Sequence, residues 1–217
     1  GRELARNSAV GRLALSTGLR AAEFSSLLVW EIPALPRRRQ DFPIPLPVPA
    51  GITKGTKFRT TWIDYDALLQ VHRYIELERA ANVEGSSWLP QNSEPLMVTD
   101  PDERGGRVNG TRVAWASLRP VERRRLVAPN GGSCLLSVCR DGRPFTAWTT
   151  VLARTSDRIR EQLEPRFPHV SPHRLRHTFA MKTMERLVSG YYAQLAQAVK
   201  GTDADNALML YLSKADP

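Results

Sequence analysis

Aromatic residues make up only 7% of this 217-residue sequence, which argues against a surface built to stack on unpaired bases. Cysteine is nearly absent. Cys134 and Cys139 lack both the CxxC spacing and the histidine partners of a zinc site. They could form a disulfide, though two reduced thiols in a strand is the simpler reading. No apolar run approaches the roughly 18 residues of a membrane-spanning helix, and no segment reads as a signal peptide. No Asp/Glu cluster marks a Mg²⁺ site, and no glycine-rich loop is present to cradle a phosphate. These absences predict a soluble, cytoplasmic protein with no metal and no cofactor.

What the chain does have is positive charge. Thirty-one Lys and Arg against 22 Asp and Glu give a net charge of +9, which favours a polyanionic partner. With so few aromatics, contacts to a duplex backbone are expected in preference to single-strand stacking platforms. The length suits one large domain or two small ones, with ample material for a core. The chain opens Gly1-Arg2-Glu3 without a Met, as an excised or trimmed segment would.

The densest chemistry lies in Ser171–Met181. His173, Arg174, Arg176 and His177 fall within five residues and lead into Phe179, Ala180 and Met181. Ser171 can cap a helix, and Pro172 suits its first turn, where a missing N–H costs nothing. On that helix His173 and Arg176 share a face, Arg174 and His177 form a flanking pair, and Leu175 with Phe179 forms the apolar stripe. Guanidinium beside imidazole suits a phosphate oxyanion: the first binds it bidentately and the second handles a proton. The same residues would also serve as a basic turn over a helix core.

Resemblance separates the two readings. His173-Arg174-Leu175-Arg176-His177-Thr178-Phe179-Ala180 resembles the central box of the tyrosine recombinase (phage integrase) family. Upstream, Thr17-Gly18-Leu19-Arg20 and Glu23 resemble the family's first arginine box, with Arg20 as its arginine and Glu23 as its acid. Gly18 permits a tight break just ahead of Arg20. The stretch ITKGTKFRTTWI resembles the family's lysine-bearing hairpin, with Lys54 as its lysine and Lys57 and Arg59 as flanking phosphate contacts. Near the end, Val199-Lys200-Gly201-Thr202 stands where relatives read Leu-Gly-His, and Tyr211 follows nine residues later. The glycine and tyrosine match, while Thr202 replaces the histidine. Tyr191 and Tyr192 precede the glycine box and do not match.

The remaining elements follow from pattern. Residues 3–32 read as helices. Four prolines on alternate positions from Pro43 to Pro49 allow only an edge strand or an extended segment. Ile52–Lys54 is expected to pair with Phe58–Ile63 across Gly55-Thr56. Tyr65–Ala81 reads as a helix, with His72 a satisfied core residue. Residues 82–113 read as a surface insertion or disordered loop. Val113–Val127 is expected to hold a short helix ending in Arg123-Arg124-Arg125, a solvated face or phosphate contact. Cys134–Val138 reads as a buried strand and Trp148–Leu163 as a helix with Val151, Leu152, Ile159 and Leu163 in the core. The box helix is expected to end at Ser189-Gly190. A further helix covers Tyr191–Val199 and a last one Asn206–Ser213, with Leu208, Tyr211 and Leu212 on one face.

Taken together, the resemblance implies an α+β, mainly α catalytic domain with a small antiparallel β-sheet spanning 1–217. Relatives carry an N-terminal DNA-binding domain, and this stretch is expected to lack it. The implied activity is metal-free, ATP-free cleavage and rejoining of DNA in site-specific recombination or integration. Tyr211 would form a 3′-phosphotyrosine, Arg20 and Arg176 would clamp the phosphate, Lys54 would protonate the 5′-oxygen, and His173 would assist. Thr202 would sit in the second histidine's place. Lys57, Arg59, Arg174 and His177 would contact double-stranded DNA, on which self-association as a dimer or tetramer is implied. An inactive DNA-binding module and a topoisomerase-like nicking-closing enzyme are the alternatives.

Overall fold

The computed structural model describes residues 3–201, with side chains as far as Tyr192. The chain divides into two compact units, Gly1–His177 and Thr178–Pro217. The first is an α+β unit with two small sheets. Helix α1 (Leu4–Thr17) buries Ala9, Val10, Leu13, Ala14 and Thr17, the stripe that 3.6-residue periodicity dictates. It stops at Gly18, whose φ of 62° is left-handed and whose N–H donates to the Ala14 carbonyl at 3.2 Å. Helix α2 (Ala21–Phe24) follows at once.

Strands β1 (Ile44–Val48) and β2 (Arg59–Ile63) pair antiparallel from Ile44↔Ile63 to Val48↔Arg59. The expected partner of β2, Ile52–Lys54, therefore gives way to the proline-rich segment. Pro45 and Pro47 have no N–H, yet their alternate spacing leaves Ile44, Leu46 and Val48 with donors for one ladder. Those three residues are also the buried ones, and the prolines face outward. Residues 50–52 form a 3₁₀ turn instead of a strand. The connection continues through Lys54, Gly55 and Thr56, where the Thr53 hydroxyl donates to the Lys57 carbonyl at 2.8 Å.

Helix α3 (Tyr65–Tyr74) is capped by Asp64, whose carboxylate accepts the Ala67 N–H at 2.8 Å. A π-turn over Ile75–Arg79 carries it into α4 (Ala80–Val83). Ala67, Leu68, Val71 and Tyr74 pack with α1, the β1–β2 pair, Leu136 and Trp148 into the main core. Each fully buried leucine there contributes roughly 1.5–3 kcal/mol. His72 is half-buried and bonds the Pro33 carbonyl through Nε2 at 2.8 Å, a satisfied histidine as its position implied.

Residues 82–113 are not a disordered loop. They contain β3 (Leu96–Thr99), β4 (Gly105–Val108) and most of β5 (Thr111–Ala114). After α5 (Pro120–Arg123) and β6 (Leu126–Val127) these form a sheet of order β5-β4-β3-β6. Two of its pairings are antiparallel and the β3–β6 pairing is parallel. Its strands support a second core of Leu28, Val98, Trp115, Leu126, Cys134 and Leu135. The basic run is likewise not a solvated face at its first member. Arg123 is fully buried and bonds both Glu31 oxygens at 2.6 and 2.8 Å, along with the carbonyls of Ser26, Trp115 and Leu118.

Cys134–Val138 is buried but forms only isolated bridges, including Leu28↔Leu135 and Val138↔Pro144. Buried arginines do the work of a strand neighbour. Arg79 donates to the carbonyls of Ser133 and Leu135, and Arg6 to that of Val138 at 3.0 Å. The Arg6 guanidinium also lies 3.6 Å above the Phe145 ring. The Tyr74 hydroxyl accepts the Val138 N–H at 3.2 Å, and burial pushes its pKa up to about 12. Both cysteines are free thiols.

Helix α6 (Trp148–Gln162) buries Trp148 and Ser156, whereas Leu163, expected in the core, is 79% exposed. Helix α7 (Pro172–Gly201) runs unbroken through Ser189-Gly190, so the expected stop and restart do not occur. In the second unit its Met181, Met184, Leu187 and Tyr192 are exposed. No helix among the described residues is long and apolar enough to cross a membrane.

Candidate functional site

The site is built around the C-terminal end of α1. A helix leaves its last carbonyls without internal partners and carries partial negative charge there. Two distant segments supply donors. The Thr61 hydroxyl on β2 donates to the Thr17 carbonyl at 2.6 Å, and Arg176 Nη1 on α7 donates to the Gly18 carbonyl at 2.5 Å. The start of α7 is held by Ser171, whose Oγ accepts the Arg174 N–H at 3.3 Å, and by Leu175, which packs on the main core. Those two anchors set the helix rotation that turns Arg176 toward Gly18.

Arg20 leaves the chain between Leu19 and Phe24, both buried in the same core. Its N–H donates to Glu23 Oε2 at 2.7 Å and its Nη1 to Oε1 at 3.2 Å. Arg59 on β2 reaches the same carboxylate, with Nη2 at 2.5 Å from Oε2. Glu23 is 1% exposed, while the Arg20 and Arg59 side chains are 46% and 32% exposed. A carboxylate so buried must be paired, and here two guanidiniums share it. Arg176 has its pKa lowered, first by burial and then by the positive charges of Arg20 and Arg59, with Glu23 opposing.

Three guanidiniums thus gather around one carboxylate. Two positive charges remain uncompensated, and the exposed parts of Arg20 and Arg59 open them to solvent. Such an arrangement holds an oxyanion through planar, bidentate donors that an ammonium cannot reproduce.

Of the residues singled out from sequence, Arg20, Arg59, Arg176 and the acid Glu23 come together here. Arg59 was expected as a flanking phosphate contact, and it stands inside the cluster. Its parity in β2 carried that information, because Arg59 alternates with outward Thr60 and Trp62 and shares a face with buried Thr61 and Ile63. His173 lies one turn before Arg176, about 4.5 Å along the helix axis, and is exposed. Lys54 and Lys57 are exposed in the connection that precedes β2 rather than on a paired strand. Arg174 and His177 are exposed on α7. Thr202 and Tyr211 lie outside the described residues. Sequence reading passed over Arg6 and Arg79, although both sit on the buried stripes of their helices.

No family model, no curated protein and no solved structure matches the chain.

Proposed function

We propose that this chain is the catalytic domain of a tyrosine recombinase with an integrase-like fold. It would cleave and rejoin DNA through a 3′-phosphotyrosine without metal or ATP. The observation that carries the reading is the convergence of Arg20 and Arg176. These are the two arginines that the first and central boxes single out. Arg176 bonds the Gly18 carbonyl, two residues before Arg20, and feels the Arg20 charge. A basic surface turn has no need of such a meeting across the length of the chain.

In this reading Arg20 and Arg176 bind the non-bridging oxygens of the scissile phosphate. Donors of this kind are each worth roughly 3–4 kcal/mol where water is excluded. Arg59, steadied by Glu23, adds charge beside them. Tyr211 attacks phosphorus, Lys54 protonates the departing 5′-oxygen, and His173 assists as proton acceptor or phosphate donor. General acid–base help adds on the order of 10²–10⁴-fold. The covalent link conserves the phosphodiester energy, so no ATP is required for resealing. The partner is double-stranded DNA, contacted also by Lys57, Arg174 and His177, on which the chain assembles as a dimer or tetramer in the cytoplasm.

The test is covalent trapping. A nicked duplex pool with randomised arms lets the cleaved strand diffuse away, so that an adduct accumulates and survives a denaturing gel. Strand exchange between two sites then separates a recombinase from a topoisomerase-like nicking-closing enzyme. Thr202 favours a second reading, an inactive DNA-binding module, because threonine supplies one hydrogen bond and no charge where relatives use a histidine. DNA binding with no adduct would select it.

A further inference from the structure

The two faces of β2 are chemically unlike. Arg59 turns inward to Glu23, whereas Thr60 and Trp62 face outward. Opposite them in register stand Pro47 and Pro45, both exposed. Phe58 immediately precedes the strand in the outward parity and is 63% exposed, and Trp62 is 51% exposed. The β1–β2 ribbon therefore presents two aromatic rings to solvent about 13 Å apart, four residues along one strand. Two proline rings lie on the neighbouring strand.

That face has no strand-pairing use along its β1 edge. Pro45 and Pro47 carry no N–H, so another strand cannot add there through those positions. Single exposed apolar residues are ordinary, so it is the combination of two rings with flanking cations that points to a ligand here.

Charge identifies the partner. Residues 37–64 contain six cations, Arg37, Arg38, Arg39, Lys54, Lys57 and Arg59, against two carboxylates, Asp41 and Asp64. Asp64 is committed to capping α3, and Arg39 is paired with Asp66. Exposed Arg37 and Arg38 lead toward one end of the ribbon, and exposed Lys54 and Lys57 lie at the other, beside Phe58. Cations at both ends of a short aromatic-bearing ribbon, about 17 Å long over five residue pairs, match a negatively charged strand with flat bases.

We propose that the outward face of the β1–β2 ribbon is a binding surface for an unpaired nucleic-acid strand. Trp62 and Phe58 stack on bases, and Lys54, Lys57, Arg37 and Arg38 hold the phosphates. The aromatic face lies apart from the arginine cluster, since Arg59 and Trp62 are on opposite faces of β2, while Lys54 and Lys57 serve both readings, so Trp62 and Phe58 alone discriminate between them. Low overall aromatic content argues against such a platform, but the fold leaves two of the few rings exposed in the same outward parity, about 13 Å apart.

The experiment titrates the whole 217-residue chain with an oligothymidylate of about ten nucleotides and with a blunt duplex of the same length. Tryptophan emission and affinity are followed at about 0.1 M salt. The single strand should quench tryptophan emission, and the blunt duplex, held through the arginine cluster, should not. Trp62→Ala should weaken single-strand binding about ten-fold or more and remove the quenching, while Trp62→Phe should keep the affinity and lose the quenching. Phe58→Ala should weaken it several-fold. Replacing Lys54 and Lys57 together with Gln should lower affinity and flatten its salt dependence. Unchanged single-strand affinity in both Trp62→Ala and Phe58→Ala would overturn the proposal. So would a self-association that Trp62→Ala abolishes in a protein that binds no oligonucleotide, since the face would then serve a second copy.

Discussion

Arg176 and Gly18 stand 158 residues apart in sequence and are joined by a 2.5 Å hydrogen bond from guanidinium to carbonyl. The bond closes the C-terminal end of α1 against the start of α7. It makes the backbone at Gly18 part of the arginine cluster, and the left-handed φ of 62° there determines where its carbonyl points.

Gly18→Ala is expected to cost about 1–2 kcal/mol, because a Cβ clashes in the left-handed region. The loss should appear as a lower denaturant midpoint with an unchanged slope. Gly18→Asn, which tolerates that region better, should recover part of it.

Replacing Arg20 or Arg176 with lysine keeps the charge and loses the planar fork. Cleavage should fall by about 100-fold or more in each variant, while DNA affinity changes far less. Equal losses in binding and cleavage would assign these residues to general attraction only.

Glu23→Gln separates two roles of one side chain. Its carboxylate is 1% exposed and serves the Arg20 backbone, the Arg20 guanidinium and Arg59. Losing the charge should lower stability by about 1–3 kcal/mol. It also removes the only carboxylate found in the cluster among the described residues, so low-salt DNA affinity should hold or rise while cleavage falls. A parallel fall in affinity would show that Glu23 acts through folding alone.

Part of the arginine cluster was legible before the fold was known. Gly18 announced a break, Arg20 and Arg176 stood in recognisable boxes, and Ser171 and Pro172 marked a helix start. Arg59 was harder to read, because its partner depends on which strand pairs with β2. That pairing was misread because prolines on alternate positions discourage a strand assignment, although they spare the intervening donors. The strands within 82–113 were not legible because they are four residues long and broken by turn formers, too short to show an alternation. The expected stop in α7 rested on Ser189-Gly190, yet a helix absorbs an interior glycine for about 1 kcal/mol.

Tyr74 sets an alkaline limit on stability. Burial is the main cause that raises its pKa from 10.0 to about 12. The folded state then keeps a proton that the unfolded state releases. Stability is fully present below pH 10 and falls as pH rises toward 12, by about 2–3 kcal/mol in all. Denaturant midpoints across that range should show the fall, and Tyr74→Phe should reduce it. The same substitution removes the acceptor for the Val138 N–H, at a cost of about 1 kcal/mol at neutral pH.

Tyr211 is nine residues beyond the glycine box, and Leu208 and Leu212 beside it would equally suit a core tyrosine. A core tyrosine tolerates phenylalanine for about 1 kcal/mol, whereas a nucleophile cannot, since phenylalanine has no oxygen to attack phosphorus. The decisive measurement is adduct formation on nicked duplexes by the wild-type chain and by Tyr211→Phe, Tyr191→Phe and Tyr192→Phe. With Tyr211 as nucleophile, a denaturant-resistant protein–DNA band should form with every version except Tyr211→Phe, which should still bind DNA. An adduct that persists in Tyr211→Phe and disappears in Tyr191→Phe or Tyr192→Phe would contradict that role for Tyr211.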